Sequence, residues 1–425
     1  MWFECIALFT VVRGQIVAVD IWDTKRSMKC RNPSNRSGMD HSQFASNLLR
    51  LAVGQRSARR FFAQMVDKIY SSPRARAKAL TDRLGIQLPI LLAPMAGACP
   101  PSQSIAVANA GGMGACGALL MKPEAIEKWS ADFRSQSDGE FQLNLWIPGP
   151  PPVRDYELER RQREYLATWG PAVPPEAGDA LLPDFEAQCH ALIKTAPKAI
   201  SSIMGIYPPC FVSELKAKGI LWFATATTVA EAKVAEKAGA DVIVAQGMEA
   251  GGHRGAFHAD EAERELVGLV ALLPQIVDAV KVPVIAAGGI ADARGVAAAL
   301  ILGASAVQIG TGFLRSPEAM VNQVYADRIA QTEAHGTMIT RAFTGRPGRA
   351  IRSRYALASA APNVPPPAPY PIQRGLTRAM REDAQKNGDP DRMQLWAGQA
   401  ARMARAEPAG IITRQWWEEA SRLLP

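Results

Sequence analysis

Cysteine is scarce: Cys5, Cys30, Cys99, Cys116, Cys189 and Cys210 are the only six in 425 residues, with no CxxC pair and no zinc spacing. That scatter excludes a disulfide framework and a cysteine-built metal site, and it reads as reduced intracellular thiols. No run of 18 apolar residues occurs, which excludes a membrane-spanning helix. A Walker loop and a kinase signature are also missing. What remains is an ordinary globular balance, 48% hydrophobic, 7% aromatic and 21% charged, unlike a disordered or fibrous chain.

The net charge of +8 is not spread over the chain. Residues 1–80 carry 14 Lys/Arg against 5 Asp/Glu, whereas residues 81–425 carry 34 against 35. A neutral body removes the case for a nucleic-acid-binding domain. The basic leading segment, 1–80, reads as an extension with three equal readings: an organelle-targeting segment, a surface arm, or sequence upstream of a start at Met39 or Met65. Within it, Lys25–Ser42 is polar and loop-like and Ser57–Lys78 is basic and helix-prone. The body is expected to be cytoplasmic, with monomer and dimer both open.

From Pro89 the texture becomes short apolar runs alternating with alanine-rich amphipathic segments. The runs Ile90–Pro94, Met113–Cys116, Phe141–Trp146, Ala199–Met204, Ile220–Ala224, Asp241–Ala245, Val284–Ala287 and Ala306–Ile309 read as parallel strands buried on both faces. Helix signals lie between them. Thr228 with Glu231 forms a capping box, Asp292 caps a helix over 293–302, and Ser316-Pro317-Glu318 predicts a further helix start. Eight strands alternating with helices predict an α/β fold of the (β/α)8 TIM-barrel type over 85–315. A doubly wound sheet would carry a nucleotide-binding glycine turn after its first strand, where Ala93-Pro94-Met95 stands instead. Two parts fall outside the repeat: a long proline-bounded insertion after the third strand, Pro148–Pro183, which reads as a lid or substrate wall with a charged helix over 154–169, and a helical C-terminal segment, 316–425.

Three places carry candidate chemistry. Glycine turns follow strands seven and eight, at Gly288-Gly289 and at Gln308-Ile309-Gly310-Thr311. At these barrel positions backbone N–H groups and a helix N-terminus suit a phosphate. His253, set among glycines after the sixth strand, has the residue type for proton transfer at neutral pH. Gln246 offers donors and an acceptor for the edge of a heterocycle, and Asn144 places an amide on an apolar strand, where a ligand or a loop carbonyl would serve equally as partner. His41, His190, His258 and His335 have no comparable setting. Cys99 and Cys116, with no adjacent base, read as small core residues.

On the segments Pro89-Ile-Leu-Leu-Ala-Pro-Met95, Thr225-Ala-Thr-Thr-Val229, Gln246-Gly-Met-Glu-Ala-Gly-Gly-His-Arg-Gly255, Pro283-Val-Ile-Ala-Ala-Gly-Gly-Ile290 and Gln308-Ile-Gly-Thr311, the chain resembles the nitronate monooxygenase family. The likeness runs over roughly 85–425 and continues through Phe343-Thr-Gly-Arg-Pro347, Tyr370-Pro371 and Trp396-Ala-Gly-Gln399. The resemblance implies an FMN-containing TIM barrel that oxidises alkyl nitronates, such as propionate 3-nitronate, with O2. It places FMN against Ala93, Pro94, Met95, Asn144, Gln246, Gly251, Gly288 and Gly289, with Gln308, Ile309, Gly310 and Thr311 around the phosphate and His253 as the active-site histidine. It implies no metal. Flavin-dependent, NAD(P)H-using enoyl-acyl-carrier-protein reductases share the barrel and the glycine motifs and are the alternative enzyme. The Trp396–Gln399 segment resembles the monooxygenases instead. Inosine-monophosphate dehydrogenase would need a loop cysteine after the phosphate region, and none follows Cys210.

Overall fold

The computed structural model describes residues 72–425, together with the backbone of two strands near the N-terminus. Those two, β1 (Cys5–Val12) and β2 (Gln15–Asp23), pair antiparallel as a compact unit of their own. The expectations for Lys25–Ser42, for most of Ser57–Lys78 and for the alternative starts lie outside the described residues.

In the second unit, eight parallel strands close on themselves. They are β3 (Ile90–Leu92), β4 (Gly114–Gly117), β5 (Phe141–Trp146), β6 (Ala199–Ile203), β7 (Leu221–Ala226), β8 (Val242–Gln246), β10 (Val284–Ala287) and β11 (Ala306–Ile309). Each pairs with the next, β11 pairs with β3, and a bridge between Leu91 and Met113 joins β3 to β4. This is the TIM barrel that the alternation predicts. The strands alternate between two apolar layers. Leu91, Phe223, Val244 and Ile285 fill the interior, while Leu143, Ile200, Trp222 and Ile243 pack outward under the helices.

The interior is plugged at its N-terminal end by α1 (Pro73–Leu84), capped by Ser72 and stopped by Gly85 at φ 73°. Its Leu80 and Leu84 join the interior cluster, and Arg83 pairs with Asp241 at the start of β8. Residues 73–80, basic enough to resemble the extension, therefore fold with the barrel.

Seven outer helices follow their strands: α2 (Pro101–Asn109), α3 (Pro123–Arg134), α5 (Phe185–Lys194), α6 (Pro209–Ala217), α7 (Val229–Lys237), α8 (Leu269–Ala279) and α9 (Ala293–Ile301). The capping box of Thr228 and Glu231 and the Asp292 cap both form. After β11 the order changes. The helix predicted at Ser316 is absent, because the Ser316 hydroxyl turns back to the Phe313 carbonyl and the Glu318 carboxylate accepts from the distant Ala409 amide. The next helix, α10 (Gln323–Gln331), starts at Asn322 instead. The eighth position in the ring, between α9 and α2, is filled by the C-terminal α14 (Ala409–Leu423), which buries Trp416 against Phe313.

Nearly all of residues 314–408 is thus a detour over the carboxyl ends of the strands. Read from sequence as helical, it also holds β12 (Thr337–Thr340) and β13 (Gly348–Ile351), which form a three-stranded sheet with β9 (Gly252–His253). Its helices are α10, α11 (Arg354–Ala358), α12 (Ile372–Leu376) and α13 (Arg378–Lys386). The insertion's helix α4 (Tyr156–Ala167), capped by Asp155, packs on this detour: Leu166 lies with Phe343 and Tyr355, and Gln162 donates to the carbonyls of Pro365 and Pro366.

Phe223 is fully buried in the barrel interior. Phe223→Ala leaves a cavity that rigid strands cannot collapse, and it should lower the unfolding free energy by about 3–5 kcal/mol. Urea unfolding followed by far-UV circular dichroism checks this; a loss below about 1 kcal/mol contradicts a tightly packed interior.

Candidate active site

A cavity of about 530 Å³ opens at the carboxyl ends of the barrel strands, within the usual range for a small-molecule or cofactor site. Ala93, Pro94, Met95, Asn144, Gln246, Gly251, His253, Gly288, Gly289, Gln308, Ile309, Gly310 and Thr311 all line it. The glycine turns, the amides and the histidine, up to 167 residues apart in sequence between Asn144 and Thr311, therefore share one space.

The floor is a set of unengaged backbone donors. The N–H groups of Gly288, Gly289, Gly310 and Thr311 donate to no acceptor among the described residues. Gly288 and Gly289 adopt φ of 110° and 69°, a left-handed pair open to glycine at little cost. Cβ atoms at these two positions would meet the Ala250 backbone N at 3.0 Å and the Glu249 side chain at 3.3 Å. Four free N–H groups lining one cavity, next to the start of α9, are of the kind that suits an anion. The turn after β3 approaches the same place: the Met95 N–H donates to the Cys99 thiol at 3.1 Å, and that thiol donates back to the Met95 carbonyl. Burial first raises Cys99 to about 11, so it stays a neutral structural thiol, as does the buried Cys116.

The three amides are partly committed. Asn144 donates from Nδ2 to the Ser201 carbonyl and hydroxyl, so the internal partner exists and its Oδ1 is the remaining end. Gln246 spans the loop after it, donating to the His253 carbonyl and accepting from the Gly255 N–H at 2.8 Å; one of its N–H groups is left. Gln308 accepts from Gln142 Nε2 at 2.9 Å, which leaves its own Nε2 for the cavity.

His253 is held by parts of the detour. Its Nε2 pairs with the buried Thr344 hydroxyl at 2.8 Å, and its ring sits 4.6 Å from Trp146 and 4.7 Å from Trp396. Strand β13 fixes its backbone through the Gly348–His253 register. Enclosure away from water, then the positive charges of Arg346 and Arg374, push His253 down to about 3. The ring is therefore neutral throughout the physiological range. His190, His258 and His335 are exposed, and His41 lies outside the described residues.

The lid is the detour rather than the insertion: no residue of 148–183 lines the cavity, whereas Tyr325, Thr344, Tyr370, Arg374, Arg381 and Trp396 do. The lid meets the barrel backbone to backbone. The Gln399 N–H donates to the Glu249 carbonyl at 2.9 Å, the Gly398 N–H donates to the Thr311 hydroxyl at 3.0 Å, and a Cβ on Gly251 would lie 2.5 Å from the Gly398 nitrogen. Sequence reasoning about single residues misses Trp146, Thr344, Tyr370 and Trp396, although three of them stand in segments that carry the family likeness. Arg374 and Arg381 had one legible signal, a seven-residue spacing that returns a helix to the same face.

A sequence model of the nitronate monooxygenase family matches residues 77–416. A probable nitronate monooxygenase of Staphylococcus aureus (strain Newman) is 36% identical over 338 residues, covering 78% of this chain and 94% of that protein. Among solved structures, a nitroalkane oxidase from Streptomyces ansochromogenes is similar with a TM-score of 0.74 and 35% identity, covering 81% of this chain and 98% of that one. FabK from Thermotoga maritima is similar with a TM-score of 0.63 and 29% identity, covering 81% and 96%.

The clasp is testable at Gly251. In Gly251→Ala the new methyl meets backbone atoms of Ala397 and Gly398 and forces the lid outward. Stability should fall by about 1–3 kcal/mol, and the tryptophan emission should shift to the red as Trp396 gains water. An unchanged emission spectrum would mean that the two segments do not bear on each other.

Proposed function

The chain belongs to the nitronate monooxygenase family and is a flavin oxidoreductase, and from that premise we propose that it holds one FMN and oxidises alkyl nitronates with O2 to the carbonyl compound and nitrite or nitrate. The observation that carries this reading is the pairing, in one cavity, of a cradle of four unengaged amides with a neutral histidine backed by guanidinium groups. The cradle fits a phosphate monoester: Gly288, Gly289, Gly310 and Thr311 would hold it, with Gln308 and Ile309 beside them. Ala93, Pro94, Met95, Asn144, Gln246 and Gly251 would border the ring system. FMN, when bound, supplies the acceptor for the substrate's electrons and the place where dioxygen is reduced.

The protein's own contribution follows from charge. A nitronate is already an anion, so no proton has to leave its carbon. A neutral imidazole with Arg346 and Arg374 nearby favours that anion and orients it by a hydrogen bond. A nitrogen whose conjugate acid is so strong is a poor base, which argues for nitronates over neutral nitroalkanes as substrate. Trp146, Trp396 and the clasped lid keep bulk water off the reacting carbon.

Two outcomes are expected. With a preformed nitronate, kcat/KM should show no break near pH 6.5, the ordinary histidine value, across about pH 5 to 9. Because His253 is depressed, its protonation and any loss of activity through it belong far below that window. A break near 6.5 that disappears in His253→Asn would contradict the neutral, shielded ring. The second outcome separates the enzymes. Mixed anaerobically with the oxidised holoprotein, propionate 3-nitronate should bleach the flavin rapidly and air should restore it, whereas NADH should act slowly. Rapid reduction by NADH without any response to the nitronate would assign the enoyl reductase reaction instead.

A further inference from the structure

Two glutamines face into the barrel interior from strands that are not neighbours. Gln142 stands on β5 and Gln308 on β11, with β4 and β3 between those strands around the ring. Leu143, Val307 and Ile309 beside them in the chain pack outward, so the alternation of a strand turns both amides inward. Gln308 lines the cavity, whereas Gln142 does not and is completely enclosed. Barrel interiors are ordinarily filled by branched apolar side chains, and an enclosed amide is costly unless its groups are paired.

The pairing here is one-sided. Gln142 Nε2 serves two oxygens, Gln308 Oε1 at 2.9 Å and the Leu92 carbonyl at 3.4 Å. Its own Oε1 has no partner among the described residues. Turned over, Gln142 would set that oxygen against the other two, so its amide has one admissible orientation. That orientation dictates the next. Gln308 must give its oxygen to Gln142, and its Nε2, bonded to nothing among the described residues, is left at the cavity. A buried acceptor without a partner destabilises the fold, and a methionine would fill the same place without one. What the Gln142 amide provides is a donor of fixed polarity on the cavity wall.

We propose that Gln142 is a positioning residue for the cofactor: it holds the Gln308 amide with Nε2 outward, as a hydrogen-bond donor to an acceptor of FMN. This rests on the FMN reading above. FMN carries acceptors on its phosphate and on the carbonyl and imine atoms of its ring. A Gln308 amide free to turn over would present its oxygen to them and repel them.

The test titrates apoproteins of the wild type, Gln142→Met, Gln308→Met and the double variant with FMN, following the quenching of flavin fluorescence. Gln142→Met should raise the FMN dissociation constant about 3- to 10-fold, the range for losing one hydrogen bond. Gln308→Met should do the same, and the double variant should bind no more weakly than either, because the first residue acts through the second. The Gln142→Met apoprotein should melt close to the wild type, which a variant that merely loosened the barrel would not; Gln142→Leu repeats the test with a different shape. In the holoproteins, the phosphorus resonance reports on the phosphate and the visible absorption band on the ring. Whichever acceptor Gln308 serves should move, and move alike, in Gln142→Met and Gln308→Met. Losses that multiply in the double variant overturn the proposal, as does a Gln142→Met protein that binds FMN as tightly as the wild type with both signals unmoved. A wild type that binds no FMN removes the cofactor reading and this inference together, whereas the other failures leave the cofactor reading in place.

Discussion

The site depends on one contact: the backbone of 249–251 against the backbone of 397–399. Three glycine facts make it possible. Gly251 and Gly398 each lack the side chain that would separate the two segments, and the Gly398 N–H reaches the Thr311 hydroxyl. Because Thr311 belongs to the turn after β11 and Gly251 to the turn after β8, the lid is tied to two strand ends at once. That tie fixes Trp396 against the His253 ring. The same close approach binds the eighth position of the helix ring to the cavity, because α14 follows the lid in the chain and completes the barrel only once the detour has been laid down.

A second constraint is electrostatic, and it governs how the barrel top is kept soluble in its own interior. Where the chain leaves β8 to form β9, the carbonyls of Gln246, Gly247 and Met248 turn away from the strand ladder. Arg254 donates to the first two and Arg349 to the third. Both arginines are buried, and burial chiefly lowers their pKa, Arg254 to about 10, so both remain charged at neutral pH. Neither has a carboxylate partner among the described residues. Backbone carbonyls take their hydrogen bonds instead, and the charge of Glu249, which lines the cavity, acts on both arginines from a distance.

The barrel was legible because its signals are local. Runs such as Val284–Ala287 and Ala306–Ile309 are short, apolar and bounded by glycine, and their extents match the strands they form. The two glycine turns were legible for the same reason: they adjoin those strands. The lid was not. Ser316-Pro317-Glu318 has the local pattern of a helix start, but its hydroxyl and carboxylate serve contacts with Phe313 and with Ala409, about 90 residues away. Strand β9 is two residues long and exists only because β13 lies beside it. A proline-rich insertion after the third strand attracts a functional reading, yet its helix buries Leu166 against the lid and its ion pair of Arg154 with Glu159 braces the insertion itself. Its contribution to the cavity is indirect, as the support on which the lid rests.

Those two constraints have one consequence in common. The segment that closes the cavity also supplies the cations that act on His253: Arg346 stands two residues after Thr344, which holds the histidine, and Arg374 stands four residues after Tyr370, which packs on Trp146. The barrel strands contribute glycine amides and neutral side-chain amides, features that suit a phosphate and a flat ring. On the reading proposed above, cofactor recognition would belong to the (β/α)8 repeat and substrate recognition to the detour between its eighth strand and its eighth helix. Substitutions in the detour leave the glycine turns themselves unchanged, although the two parts touch at the 249–251 and 397–399 clasp, at the two tryptophans around His253 and where Met95 packs on the cluster that holds Leu314 and Leu395.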